Sequence, residues 1–329
     1  MSPRKDTDYL SISARIRGME NRLLTRERMD RIIDARDDAE ARKVLAECGY
    51  PVQSGVSLEQ ALTAVREQTM KELSAAVPDV RILEIFALKY DYHNAKTLVK
   101  AGAVKADPSR LLLGGGRYTP ELLLEGWKRE DLPRCSENYR KAVSQAQALL
   151  ADTRDPQQAD LLLDKACYAE MGQLARELGS SYLEGYVRLL VDAANLRTYV
   201  RVQRMGREAE FLRRCLMPGG NVSEQTIAAA RPEALPEVFS AGSLAEAAQL
   251  GAGLTKPGSG ALTAFEKACD DAVTAYVSTA RRVPFGEQVV IGYLYAKEAE
   301  LTAVRTMFAG RAAGLDGDTI RRRLRETYC

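Results

Sequence analysis

Two short stretches carry the side chains that could do chemistry. In Leu88-Lys89-Tyr90-Asp91-Tyr92-His93-Asn94-Ala95-Lys96-Thr97 an Asp and an Asn stand three residues apart. The same arrangement returns 101 residues later as Asp192 and Asn195 in Leu189-Leu190-Val191-Asp192-Ala193-Ala194-Asn195-Leu196-Arg197-Thr198. On a helix that spacing puts acid and amide on one face. Such a pair can bind neighbouring backbone or a neighbouring helix, because buried polar groups need partners. A weaker third copy, Lys297-Glu298-Ala299-Glu300-Leu301, lies a further 108 residues on, with Glu300 at the Asp position, Ala303 at the Asn position and Arg305 keeping the base.

The inventory of reactive groups is short. His93 is the only histidine, and with no second histidine and no cysteine nearby neither a metal site nor a His-based triad is expected. The six cysteines, Cys48, Cys135, Cys167, Cys215, Cys269 and Cys329, are never closer than 32 residues, which excludes zinc-type spacing. They read as small apolar residues of a reducing compartment. Gly114-Gly115-Gly116-Arg117 lacks the spacing of a phosphate loop and follows no strand pattern. With Thr119 and Pro120 behind it, it reads as a turn leading into a helix cap. Arg197, Arg201, Arg204, Arg207, Arg213 and Arg214 form a basic run, relieved by Glu208 and Glu210. That run is either a solvated face or a polar rim towards a partner or lipid headgroups. Arg321, Arg322, Arg323 and Arg325 carry the same two readings. No cofactor is expected. With 47 Lys and Arg against 45 Asp and Glu, the net charge of +2 gives no reason to expect nucleic acid.

The elements that position these residues are helices. Leu88, Tyr92, Ala95 and Val99 match Leu189, Ala193, Leu196 and Val200, and both sets recur at steps of four, three and four. Residues 9–24 are helical, and Thr25 opens the next helix. The remaining chain reads as a repeated cycle: a capped short helix, a second short helix, a loop, a long helix and an organising helix. Thr119-Pro120-Glu121 opens the second cycle. Asp155-Pro156 divides two helices, Gly179 stops the next, and Ser181 with Glu184 forms a capping box for the second organising helix. Gly219-Gly220-Asn221-Val222-Ser223 repeats Gly115-Gly116-Arg117-Tyr118-Thr119 at an offset of 104. Residues 231–260, rich in Ala, Gly and Pro, are the loosest segment. A further opener starts at Asp316. No stretch sustains the period-two pattern of a strand. No apolar run approaches the ~20 residues of a membrane span, and the first residues lack the apolar core of a signal.

Units spaced by about 100 residues argue for an all-α chain of three similar lobes. The expected division is an N-terminal helix at 1–24 completing the third lobe, then lobes at 25–110, 111–215 and 216–329. Three like units packed head to tail close into a ring when each turns by about 120°.

Four stretches together carry a family likeness. They are residues 8–24 with Ala14-Arg15-Ile16-Arg17, the Lys89-to-Lys96 stretch, Asp192 to Thr198, and Gly292-Tyr293-Leu294-Tyr295-Ala296-Lys297-Glu298 through Arg305. In this order and spacing the chain resembles the C subunit of the V-type (A-type) ATPase/ATP synthase, the equivalent of the d subunit of the eukaryotic vacuolar ATPase. That resemblance implies a funnel of three pseudo-symmetric lobes around a central cavity. It also implies a non-catalytic role in the central stalk of a rotary motor. The partners would be the rotor shaft subunits and the proteolipid ring, met by peripheral contact at the cytoplasmic face of the membrane. The candidate cavity- or partner-facing residues are then Asp91, Asn94, Asp192, Asn195, Glu298, Glu300, Arg197 and Arg201. The alternative is a helical-repeat scaffold that binds a peptide or helix without a rotary role.

Overall fold

A computed structural model describes residues 4–53, 55–129 and 131–328. Met1 to Pro3 and Cys329 therefore lie outside the described residues, and with them part of the loose start and one of the six cysteines. The described residues form helices, turns and connections, with no strand among them.

In order the helices are α1 (Leu10–Glu20), α2 (Arg26–Ile33), α3 (Asp38–Glu47), α4 (Leu58–Ser74), α5 (Arg81–Val104), α6 (Pro120–Lys128), α7 (Glu137–Thr153), α8 (Pro156–Leu178), α9 (Ser181–Arg204), α10 (Ala209–Cys215), α11 (Glu224–Ala229), α12 (Leu235–Val238), α13 (Ala245–Ala252), α14 (Thr263–Ser278), α15 (Glu287–Ala312) and α16 (Gly317–Arg323). The three organising helices are α5, α9 and α15. Polar caps set most of the starts. Thr25, Asp37, Ser57, Thr119, Ser136, Asp155 and Asp316 each accept a hydrogen bond from a backbone N–H of the first turn. Pro120 and Pro156 occupy the first helical position, where no N–H is needed. Gly179 ends α8 in the left-handed conformation at φ 68°.

Three boundaries differ from the sequence reading. Helix α1 stops at Glu20, because the chain at Leu24 is taken up by a side chain of α15, described below. The cap of α9 is Ser180, whose hydroxyl accepts from the Leu183 N–H at 3.0 Å, so Ser181 is already helical. Residues 231–260 hold a 3-10 turn at Pro232–Ala234 together with α12 and α13. Leu235, Phe239, Leu244, Ala247 and Ala248 are buried there, and that apolar burial offsets the weak intrinsic preference of an Ala- and Gly-rich stretch.

Packing divides the chain into two compact units. One comprises residues 1–80, 200–206 and 230–329. In it α15 packs against α1, α2, α4, α14 and α16. Its core holds Met29, Ile32, Leu45, Leu62, Leu301, Val304, Met307 and Ile320. The other comprises residues 81–199 and 207–229. There α5, α7 and α8 pack on one another around Tyr92 and Tyr139, whose rings meet edge to face at 5.7 Å. Gly102 of α5 lies so close to Trp127 that a Cβ would come within 2.6 Å of the indole.

Candidate functional site

The acids singled out in the sequence are buried and fully engaged. Asp91 is 0 % exposed, Asp192 3 % and Glu300 4 %. Each receives the chain as it returns towards the start of a short helix.

In the first copy, Asp91 Oδ1 accepts from the backbone N–H groups of Arg117 at 2.9 Å and Tyr118 at 3.4 Å. Its Oδ2 accepts from Arg117 Nε at 2.6 Å. In the second, Asp192 accepts from the N–H groups of Asn221 at 3.1 Å and Val222 at 3.2 Å, and from Asn221 Nδ2 at 2.8 Å. In the third, Glu300 accepts from the Leu24 N–H and the Tyr50 hydroxyl, both at 2.5 Å, and from Lys297 Nζ at 2.6 Å. Tyr118, Val222 and Leu24 hold the same station. Each is followed by the hydroxyl residue (Thr119, Ser223, Thr25) that accepts a backbone N–H of the next short helix. The acid and the cap hydroxyl thus satisfy consecutive parts of one turn.

The asparagines do related work. Asn94 donates from Nδ2 to the Leu113 carbonyl and accepts the Leu113 N–H at Oδ1, both at 2.8 Å. Asn195 makes the same pair with Met217, at 2.8 and 2.7 Å. A side-chain amide matched to a backbone peptide in this way reproduces a strand-like two-bond pairing. Ala303 cannot do so, and the third copy relies on its acid.

The paired glycines follow from this geometry. Gly115 and Gly219 are in the left-handed region, at φ 92° and 96°. The next residues, Gly116 and Gly220, lie against the carboxylates. A Cβ would come within 2.3 Å of Asp91 Oδ1 and 2.2 Å of Asp192 Oδ1. The glycine repeat is plain in the sequence but this contact is not, since it joins residues 25 and 28 positions apart.

The first copy alone is built around a shared guanidinium. Arg117 pairs through Nε with Asp91 and through Nη1 with Glu170 of α8, at 2.8 Å. Glu170 also accepts from the Tyr92 hydroxyl at 2.8 Å and the Ser136 hydroxyl at 3.2 Å. Burial pushes the Asp91 carboxyl up to about 6, against the pull of Arg117. Burial also raises Asp192, whose hydrogen bonds from Asn221 and Val222 oppose it. Nothing in the sequence tied Glu170 to Asp91, since the partners lie on different helices.

The other candidates lie apart from these buried sites. Glu298 accepts from Arg66 Nε at 3.1 Å, with the arginine side chain only 3 % exposed. Arg197 is half-buried on α9, where its charge lowers Tyr168 against the stronger effect of burial. Arg201 is exposed and pairs with Glu266 at 2.6 Å. Among the described residues no three His, Cys, Asp or Glu side chains converge as they would to hold a metal ion. No helix among them is long and apolar enough to cross a membrane.

The profile of the ATP synthase (C/AC39) subunit family matches residues 12–323. The C subunit of the V-type sodium ATPase of Enterococcus hirae is 20% identical over 325 residues, covering 98% of this chain and 99% of that one. The C subunit of the A-type ATP synthase of Thermococcus gammatolerans is 28% identical over 238 residues, 68% of this chain and 64% of the relative. The C subunit of the V-type ATP synthase of Thermus thermophilus is 25% identical over 222 residues, 60% of this chain and 64% of the relative.

Proposed function

Because the chain belongs to the ATP synthase (C/AC39) subunit family, we propose that it is the non-catalytic central-stalk subunit of a rotary V/A-type ATPase. It is a socket that couples the rotor shaft to the membrane proteolipid ring. The observation that carries this reading is the alignment with the C subunit of a V-type ATPase over 98% of this chain and 99% of the relative. We propose three lobes, at 25–110, 111–215 and 216–329 with residues 1–24 completing the third, arranged as a funnel around a central cavity. The subunit sits peripherally at the cytoplasmic face. Its exposed charged residues, Arg201 among them, are the candidates for partner contact.

The physical demands of a coupling fit the clamps. A part that passes torque must not yield between its two grips. Close-packed helices transmit strain. Buried charged hydrogen bonds, worth roughly 1.5–3 kcal/mol each, tie the connections to the organising helices so that loops do not slacken the body. The test is co-purification. A tagged copy expressed in its own host should bring down shaft and proteolipid subunits together from detergent-solubilised membranes. Recovery of the tagged chain free of both, with the remaining ATPase intact, would remove the rotary reading.

A further inference from the structure

The connection after α5 encloses a groove that the buried clamps do not use. Residues 105–113 fold back beside the last turns of α5, and with the C-terminal end of α7 they leave a cavity of about 1030 Å³. Its lining is mainly apolar, with Val99, Ala103, Val104, Leu111, Leu150 and Pro156 among the contributors. Val104 is 73 % exposed and Leu111 62 %, and Leu113 beside them is 39 % exposed. Large apolar side chains left open together on one surface mark an interaction site more often than chance exposure.

The charges around this groove are unequal. Lys100 and Arg154 line it, and Lys105 and Arg110 sit on the same connection. The acids there are Asp107, whose carboxylate already receives the Ser109 N–H and hydroxyl, Asp155 between Arg154 and Pro156, which accepts from the Gln157 N–H and Gln158 Nε2, and Asp160, the partner of Lys100 at 3.1 Å. Lys105 and Arg154 carry no salt bridge within 4 Å among the described residues, while the charge of Arg110 helps to lower the Asp107 carboxyl. His93 adds no charge near neutral pH, because burial and then Lys96 push it down.

The groove is also held open from within. The His93 ring hydrogen-bonds the Leu111 backbone, and Asn94 grips Leu113 through two hydrogen bonds. A wall fixed in this way costs little ordering when something binds. From its concave apolar lining and the excess of cations over acids around it, we infer that the groove is a docking site for an acidic amphipathic helix of a partner protein. Such a helix lays apolar side chains at i, i+3, i+4 and i+7 into the groove and sets carboxylates against Lys105, Arg110 and Arg154. A bilayer is the poorer match, since it favours apolar side chains that project beyond the cations over a recess. The inference does not depend on the rotary reading.

The experiment uses the full chain and a fluorescent synthetic Leu/Glu peptide with leucines at helical spacing, a Leu/Lys twin of the same pattern, and phosphatidylglycerol vesicles. The Leu/Glu peptide should bind saturably and the twin should not. Val104→Asp should weaken binding by about tenfold or more. Arg154→Glu should weaken the Leu/Glu peptide and admit the Leu/Lys twin. Both positions line the open groove, and circular dichroism on each variant checks that the helices remain. No saturable binding, equal binding of the two peptides, or binding indifferent to both substitutions would overturn the inference. So would vesicle binding that the Leu/Glu peptide fails to compete.

Discussion

At the scale of single residues, the fold depends on what is missing at two glycines. Gly116→Ala and Gly220→Ala each drive a methyl to within 2.3 Å of a buried carboxylate oxygen that is already hydrogen-bonded. Each should lower stability by about 1–3 kcal/mol, read as a fall in the urea midpoint at unchanged slope. Gly18 is the counter-case. It lies in α1 on the exposed side with nothing within 4 Å of an added Cβ, so Gly18→Ala should stabilise by up to about 1 kcal/mol. Asp91 makes a pH prediction. Its carboxyl is pushed up to about 6 by burial, above the ordinary value of 3.8. A raised carboxylate favours the fold while protonated, so its contribution is whole below about 4 and is lost as pH rises through about 6. The stability of the natural chain relative to Asp91→Asn should therefore fall between pH 4.5 and pH 7.5, by an amount on the order of 2 kcal/mol. A constant difference across that range would show that the Asp91 carboxyl is not raised.

At the scale of elements, the amides of Leu24, Tyr118 and Val222, at the equivalent station of the three copies, sit outside any helical ladder and yet are bound to buried carboxylates. Their hydrogen exchange should be as slow as that of the helix interiors, and Glu300→Ala should release Leu24 while leaving Tyr118 and Val222 protected. Fast exchange at all three in the natural chain would remove the clamps. Much of this layer was legible in the sequence. The repeat of Asp-x-x-Asn located the organising helices, and Thr25, Thr119, Asp155 and Gly179 marked boundaries through their own backbone preferences. The misplacements share a cause. Helix α1 looked continuous to Leu24 because periodicity alone cannot sense that Glu300, 276 residues away, withdraws that backbone. Ser180 and Ser181 offer two adjacent hydroxyls, and only geometry chooses between them. The shared guanidinium of Arg117 was likewise hidden, since its acids come from α5 and α8 and no spacing rule joins them.

At the scale of the whole molecule, the all-helical class followed from the absence of period-two alternation, and the repeat spacing of about 100 residues pointed to like units. What the sequence could not supply is the local surface: the groove beside Val104 and Leu111 exists because His93 and Asn94 fold the next connection back. We propose that this chain couples two machines and performs no chemistry. That is tested most directly by comparing membrane vesicles from cells with and without the chain, measuring ATP hydrolysis and ATP-driven ion uptake side by side. Hydrolysis by the catalytic head should persist without the chain while ion uptake fails, and adding back the purified chain should restore uptake. Ion uptake at the normal yield per ATP in vesicles that lack it would contradict the coupling role.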